Sequence, residues 1–435
     1  MASRKSSLIK TLSANWANSS RIAIFAAVLL VALLGIIMIL QPPKQYAAQD
    51  FDVRITPVRN GESIEVVYRA YTPVSQMALP FPADQFTHLR VSEDDEGIAL
   101  GRSGDGVSVM GTEPFGLVSL ILSPEVETPA KDYPVAQFGT QAVVLNLSFF
   151  EPTEINNQPV RTLSAEGTQF QWLGGPATYE SARLAIYADA GLPTAVVTLL
   201  APAAETLAGH FLEGFGADLP SRPSLMFLYV PGNEGQLSVA GDTVSGQTLV
   251  KYTGGGFQQP TQEMQHLVLQ NLAHEMVHLW QVEAEKSASA PDWLHEGIAD
   301  ALAAEALYVS GVWSDAQYLK ALTEAKAACA GILNTGTVRG AAARGHHQAS
   351  YACGHMVIAA LSPQREGGTS MEMWRAFLDY ADAGGKDLSE DTFFAFAEDW
   401  SGERSFALSL RSFVTANYRS ADGESIVDQL FAGSL

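Results

Sequence analysis

His274-Glu275-Met276-Val277-His278 places two imidazoles four residues apart, with a glutamate directly after the first. On a helix, residues four apart sit one turn above each other, about 5 to 6 Å between Cβ atoms, so both rings can reach one ion. A hydrolytic zinc takes three protein ligands and leaves its fourth position to water. Glu296 lies eighteen residues after His278, in the run Trp293-Leu294-His295-Glu296-Gly297, and supplies the missing carboxylate. Glu275 is rotated off the line of the two rings, where it can act as the general base towards a water on the metal. Zinc lowers the pKa of such a water to about 7, so a carboxylate is a sufficient base near neutrality. Asp300 falls one turn beyond Glu296 and can accept the remaining N–H of a ligand histidine, fixing its tautomer.

These residues need rigid supports. Residues 261–283 read as one long helix carrying both histidines. Leu267, Asn271, His274, His278 and Gln281 or Val282 share one stripe, and Val268, Leu272, Met276 and Leu279 a neighbouring apolar one, which predicts burial on most sides. Glu296 is expected to open the next helix, and helical spacing continues over 298–308, 315–333, 347–361, 371–383 and 404–418. Upstream, residues 202–215 have helical spacing and end at Gly216, while 224–230 and 246–252 read as strands, the second broken by Gly254-Gly255-Gly256. From Phe51 to Pro152 short runs such as 63–71 alternate apolar and polar residues between Pro, Gly and Asp clusters, which predicts a β-sandwich, with 141–150 a late strand of the same unit. The expected class is therefore α+β. A β-rich domain at 45–165 precedes a catalytic domain at 166–435 whose C-terminal part is helical. No internal repeat is evident.

The 435 residues suffice for two or three domains, and 47% hydrophobic with 17% charged residues is an ordinary globular composition. The charge is unevenly placed. Arg4, Lys5, Lys10, Arg21 and Lys44 are the only charged residues in the first 44, which leaves 21 basic against 47 acidic side chains beyond them. Such a body repels nucleic acid and anionic membrane surfaces, which argues against a nucleic-acid role. Residues 22–40 are nineteen uninterrupted apolar residues, enough to cross a bilayer core as one helix and longer than the apolar part of a usual signal peptide. With a basic, acid-free leader at 1–21, the expectation is a single-pass anchor, its N-terminus cytoplasmic and its body extracytoplasmic, periplasmic in a bacterium. Cys329 and Cys353 are the only cysteines. In an oxidising compartment they could pair, or both could pack as buried thiols.

His274-Glu275-x-x-His278 with Trp293-Leu294-x-Glu296-Gly297 resembles the gluzincin clan of zinc peptidases, in the wider MA group. Within it the chain is similar to aminopeptidase N and glycyl aminopeptidase, where a β-sandwich precedes a thermolysin-like catalytic domain. The resemblance covers roughly residues 200–360 and implies one zinc per chain, held by His274, His278 and Glu296. It implies Glu275 as base, Asp300 as the carboxylate behind a ligand histidine, and Tyr351, in Tyr351-Ala352-Cys353-Gly354, as the hydroxyl that stabilises the oxyanion. Two departures stand out. The Gly-Ala-Met-Glu-Asn run that holds a substrate's α-amine in aminopeptidase N relatives is missing, residues 241–252 occupying that stretch, and His295 stands where asparagine is usual. The loop 339–347 could also bring Arg344, His346 or His347 towards a substrate. The leading expectation is a membrane-anchored, extracytoplasmic zinc peptidase acting on peptides or proteins. Its alternatives are an aminopeptidase and a non-catalytic zinc-fold binding or assembly module.

Overall fold

The computed structural model describes residues 53–60, 63–123, 135–159, 169–284, 290–419 and 422–433. The apolar run 22–40 and the basic leader lie outside these residues.

Alternation builds the N-terminal part. β1 (Val53–Asn60), β2 (Ser63–Leu79), β3 (Leu89–Val91), β4 (Ile98–Ser103) and β5 (Gly106–Leu122) form an antiparallel sheet centred on the long pair β2 and β5. In β2, Ile64, Val66 and Tyr68 are buried while the residues between them are partly exposed, the period-2 pattern of a half-buried strand. β6 (Ala136–Phe138) and β7 (Val143–Asn146) come next. β8 (Glu154–Ile155) and β9 (Gln158–Pro159) then complete the first sheet at seven strands, and β10 (Phe170–Leu173) pairs with β7.

The strand within 141–150 therefore differs from expectation. It is four residues long and is the middle strand of a separate three-stranded sheet, β10-β7-β6. Val143 and Leu145 face the core of the seven-stranded sheet, and Val144 faces Met226 and Leu228 on the opposite side. Burial on both faces explains the unbroken apolar run, because a strand covered on two sides loses its alternation. Each such aliphatic side chain contributes about 1.5–3 kcal/mol on burial.

The third sheet carries the chemistry. β11 (Tyr179–Glu180) and β12 (Ala185–Ala188) lead into α1 (Thr194–Phe215), followed by β13 (Ser224–Val230), β14 (Ser238–Val244) and β15 (Gln247–Thr253). The order is β11-β12-β13-β15-β14, with β12, β13 and β15 parallel and the two edges antiparallel. Leu225, Phe227 and Tyr229 of β13 face the helices, whereas Met226 and Leu228 face the three-stranded sheet. β13 thus matches the expected strand, while the edge strand β14 was not foreseen. α1 begins eight residues before the expected start and runs through Pro202. Proline costs an interior hydrogen bond, but Val196 and Leu200 on the earlier turns are buried in the core, which offsets that loss. Among the described helices α1 alone is long and apolar enough to cross a membrane; its Leu207 and Phe211 are buried in the core.

α2 (Gln262–Ala284) is the expected long helix, and every residue from Leu272 to Gln281 is buried. Thr261 starts it, its hydroxyl accepting the Met264 N–H at 3.1 Å. Trp280 near its far end stacks on Phe215 of α1 with centroids 6.0 Å apart and donates to the Ala217 carbonyl. α3 (Asp292–Val309), α4 (Asp315–Leu333), α5 (Gln348–Leu361), α6 (Ser370–Ala383), α7 (Glu390–Ser401), α8 (Arg404–Thr415) and α9 (Gly423–Phe431) follow. α3 starts two turns earlier than the reading of 298–308, so Glu296 stands inside the helix rather than at its opening. Pro291 and Asp292 set that start, a proline needing no N–H partner and an acid suiting the first turn. α7 and α9 are additional to the helices foreseen.

Cys329 of α4 and Cys353 of α5 form a disulfide, their Cα atoms 4.8 Å apart. It closes a loop of sequence separation 24, for which chain entropy gives about 3 kcal/mol of stability. Replacing both cysteines with alanine is expected to lower Tm, and a reductant to shift the wild type equally while leaving the variant unchanged. A wild type whose Tm ignores the reductant would count against that contribution.

Candidate metal centre

α2 and α3 bring together the three residues whose types suggested a metal. His274 Nε2 and His278 Nε2 lie 3.0 Å apart, and Glu296 Oε2 lies 3.2 Å from the first and 3.4 Å from the second. Four ligands around a zinc at 2.0–2.1 Å leave about 3.4 Å between neighbouring ligand atoms, so this triangle has the dimensions of one tetrahedral face. Glu296 Oε2 is buried without a well-aligned hydrogen-bond donor, although both ring nitrogens face it. A buried, orphaned carboxylate oxygen is costly, and a cation at the centre of the triangle satisfies it. His274, His278 and Glu296 are also the one group of potential ligands, among the described residues, able to hold an ion. The donor set of two imidazoles and one carboxylate suits zinc.

The remaining expected residues gather around this triangle. Asp300 Oδ1 lies 2.8 Å from His274 Nδ1, one turn along α3 from Glu296. Burial pushes the His274 pKa down, but the carboxylates of Asp300 and Glu296 beside it outweigh that and hold the ring well above its ordinary value. Burial likewise pushes the Glu296 carboxyl up, and the two histidine rings facing it more than reverse this. Tyr351 on α5 has its ring centroid 5.5 Å from that of His274. Burial, then the charges of Glu296, Glu275 and Asp300, raise its pKa, so the phenol keeps its proton at neutral pH.

Two glycine positions explain how α3 and α5 approach closely enough. A Cβ at Gly297 would stand 2.4 Å from the Cα of Gly354, and one at Gly354 would stand 2.0 Å from the Trp293 carbonyl oxygen. No side chain fits between the helices there. The glycines of Trp293-Leu294-x-Glu296-Gly297 and of Tyr351-Ala352-Cys353-Gly354 are thus the two halves of one contact, which sets Tyr351 against Glu296. Trp293 anchors the other side by donating to Glu390 Oε1 at 2.8 Å.

Glu275 points towards the edge strand β14. Its Oε2 accepts a hydrogen bond from the Thr243 hydroxyl at 2.9 Å, and the Thr248 hydroxyl stands 3.1 Å behind Thr243. The strand can come this close because residue 241 is glycine: a Cβ there would lie 2.0 Å from Glu275 Oε1. Thr243 and Gly241 are therefore parts of the site that sequence reasoning did not identify. The spacing of Val239, Gly241 and Thr243 on one strand face was the available signal, obscured by the polar and glycine content of 238–244. Gln281, 2.8 Å from His278 Nδ1, was read only as a stripe residue. His295 stacks on His278 at 4.6 Å and is not in the ligand triangle. Arg344 is engaged in its own loop, donating to the carbonyls of Arg339 and Thr337. A separate cleft of about 870 Å³, lined by Gln141, Trp172 and Asp189 among others, includes none of the residues named at the triangle.

Residues 241–327 match the family model BSP, described as peptidase of plants and bacteria. No curated protein matches the chain. Among solved structures the chain is similar to an aminopeptidase N family protein from Idiomarina loihiensis, with TM-score 0.56 and 13% identity over 87% of this chain and 78% of that one. It also matches an M1 zinc metallopeptidase from Deinococcus radiodurans, with TM-score 0.44 and 16% identity over 85% and 94% of the two chains. Yeast LTA4 hydrolase in complex with bestatin matches with TM-score 0.45 and 10% identity over 87% and 71%. The first of these likenesses is one of fold: mixed α and β, with sheets followed by a helical C-terminal region.

Asp242, between Gly241 and Thr243, has its carboxyl pushed up to about 7, first by burial and then by the charge of Glu275, with Glu296 adding to it. A carboxyl raised above its unfolded value contributes stability that is fully present below about pH 4. That contribution is lost as the pH rises through about 7. Asp242→Asn is therefore expected to raise the Tm of the metal-stripped protein by a few degrees at about pH 8 and by clearly less at about pH 5. Equal shifts at both pH values would show that ionisation of Asp242 is not the cause.

Proposed function

We propose that the chain is a zinc-dependent peptidase that cleaves peptide bonds with water. The observation that carries the reading is the orphaned Glu296 oxygen facing two imidazole nitrogens at tetrahedral spacing. His274, His278 and Glu296 would hold the zinc, and Asp300 would keep the His274 proton on Nδ1. A zinc ion bound there supplies a Lewis acid and a water of lowered pKa. Glu275, steadied by Thr243, takes the proton of the attacking water and passes it to the leaving amine. Tyr351, still protonated at neutral pH, donates to the carbonyl oxygen as negative charge develops on it. The match of residues 241–327 to a peptidase family and the gluzincin-like fold support this reading.

A second reading, removal of N-terminal residues, draws on Asp242. A carboxyl beside the site that feels both Glu275 and Glu296 is the kind of group that favours a substrate ammonium. The missing Gly-Ala-Met-Glu-Asn run argues the other way, so peptide hydrolysis without a demand for a free N-terminus remains the main proposal.

Wild-type protein is expected to bind about one zinc per chain and to cut a mixed peptide pool, including N-terminally blocked peptides, with the termini mapped by mass spectrometry. Glu275→Gln should retain the zinc and lose hydrolysis by about 10²–10⁴-fold. A wild type that binds no divalent metal would falsify the zinc reading, and cleavage confined to unblocked peptides would favour the second one. The apolar run 22–40 carries the further proposal of a single-pass anchor with the catalytic body outside the cytoplasm. The full chain should stay with membranes through alkaline carbonate extraction and leave them when 22–40 is deleted; release of the intact chain would sink the anchor.

A further inference from the structure

We infer that Gln281 is a positioning residue that fixes which nitrogen of His278 faces the metal, the task Asp300 performs for His274; the inference rests on the zinc reading above. Gln281 is fully buried one turn beyond His278 on α2. Its Oε1 lies 2.8 Å from His278 Nδ1, and its Nε2 donates to the backbone carbonyl of His295 at 2.9 Å. A backbone carbonyl can only accept, so the amide nitrogen of Gln281 must face it. Turning the amide over would set oxygen against oxygen there. The orientation then leaves only an acceptor for His278 Nδ1, which must carry the proton. The lone pair is left on Nε2, the atom that stands 3.0 Å from His274 Nε2 and 3.4 Å from Glu296 Oε2.

The same contact joins the two helices that carry the triangle. His295 immediately precedes Glu296 on α3, so one amide links the backbone beside the carboxylate to the ring of the second histidine. The ring of His295 lies against that of His278, with centroids 4.6 Å apart and planes 18° from parallel. Rotation of His278 about its ring axis would lose both the stack and the hydrogen bond. Two different orienting groups result. His274 is backed by a carboxylate, which adds charge, and His278 by a neutral amide, which adds direction alone. A third acid behind the triangle would crowd further negative charge beside Glu275 and Glu296, and glutamine avoids it.

The tautomer can be read without metal and without activity. In metal-stripped, ¹⁵N-histidine-labelled protein at about pH 8.5, where an ordinary imidazole is neutral, long-range ¹H–¹⁵N spectra should show His278 protonated on Nδ1. Gln281→Leu should lose that preference and bind zinc about 10–100-fold more weakly in chelator competition, as expected when a ligand's outer partner is removed. Gln281→Glu keeps an acceptor for Nδ1 and should preserve the tautomer, but it sets oxygen against the His295 carbonyl and is expected to weaken zinc binding. The inference is overturned if Gln281→Leu matches wild type in tautomer and affinity, or if Gln281→Glu loses the Nδ1 tautomer. Should Gln281→Leu fail to fold, the wild-type spectrum decides alone, since His278 protonated on Nε2 is incompatible with the proposed contact. A wild type that binds no zinc defeats the metal reading, while its spectrum still reports on Gln281.

Discussion

Two imidazole nitrogens and a carboxylate oxygen crowd within 3.4 Å of one another in a largely buried place, all three offering lone pairs to the same point. Groups of that kind do not stay together unaided. Without a cation, a proton must mediate, which is why the His274 ring is held well above its ordinary pKa and the Glu296 carboxyl below its own. The fold keeps the triangle because its members belong to two helices already fixed by other means: α2 packed on most sides, and α3 locked against α5.

The lock is a glycine contact. Gly297 and Gly354 allow α3 and α5 to approach so closely that either Cβ would meet backbone atoms. Tyr351 and Glu296 are three and one residues from these glycines, so the helix separation sets the distance between the phenol and the carboxylate. Cys353, next to Gly354, ties α5 to α4 through the disulfide. Trp293 spans the opposite side towards α7, where it packs on Phe393 and Phe394 and donates to Glu390. Packing of this density transmits displacement rather than absorbing it, so changes at these remote positions reach the phenol.

The edge strand β14 supplies the other wall. It is placed by its pairing with β15, from Ser238 against Thr253 to Val244 against Gln247, and β15 is in turn held parallel to β13 at the centre of the sheet. β13 is covered by helices on one face and by the three-stranded sheet on the other. That small sheet shares Val143 and Leu145 with the core of the seven-stranded sheet. A continuous series of packed layers therefore runs from the N-terminal sheet to Thr243 and the carboxylate of Glu275.

What was legible in the sequence follows the physics of each signal. The clustering of these side chains was legible because helical spacing alone places His274 over His278, and because Glu296 and Asp300 repeat that four-residue spacing on α3. α2 was legible because apolar residues surround it, and α4 because helical spacing runs through 315–333. β14 was not, since glycine and aspartate weaken a strand pattern at the positions where a close approach to Glu275 demands them. The double-sided burial of β7 was hidden for a related reason: an apolar run states that a segment is covered, not by how many layers. Gln281 falls between these cases. Its place on the histidine stripe was visible at three residues from His278, but its meaning depends on the His295 carbonyl, which reaches it only when α3 folds back against α2. A side-chain amide reads as filler in a sequence and acquires a direction only when tertiary structure fixes which end must donate.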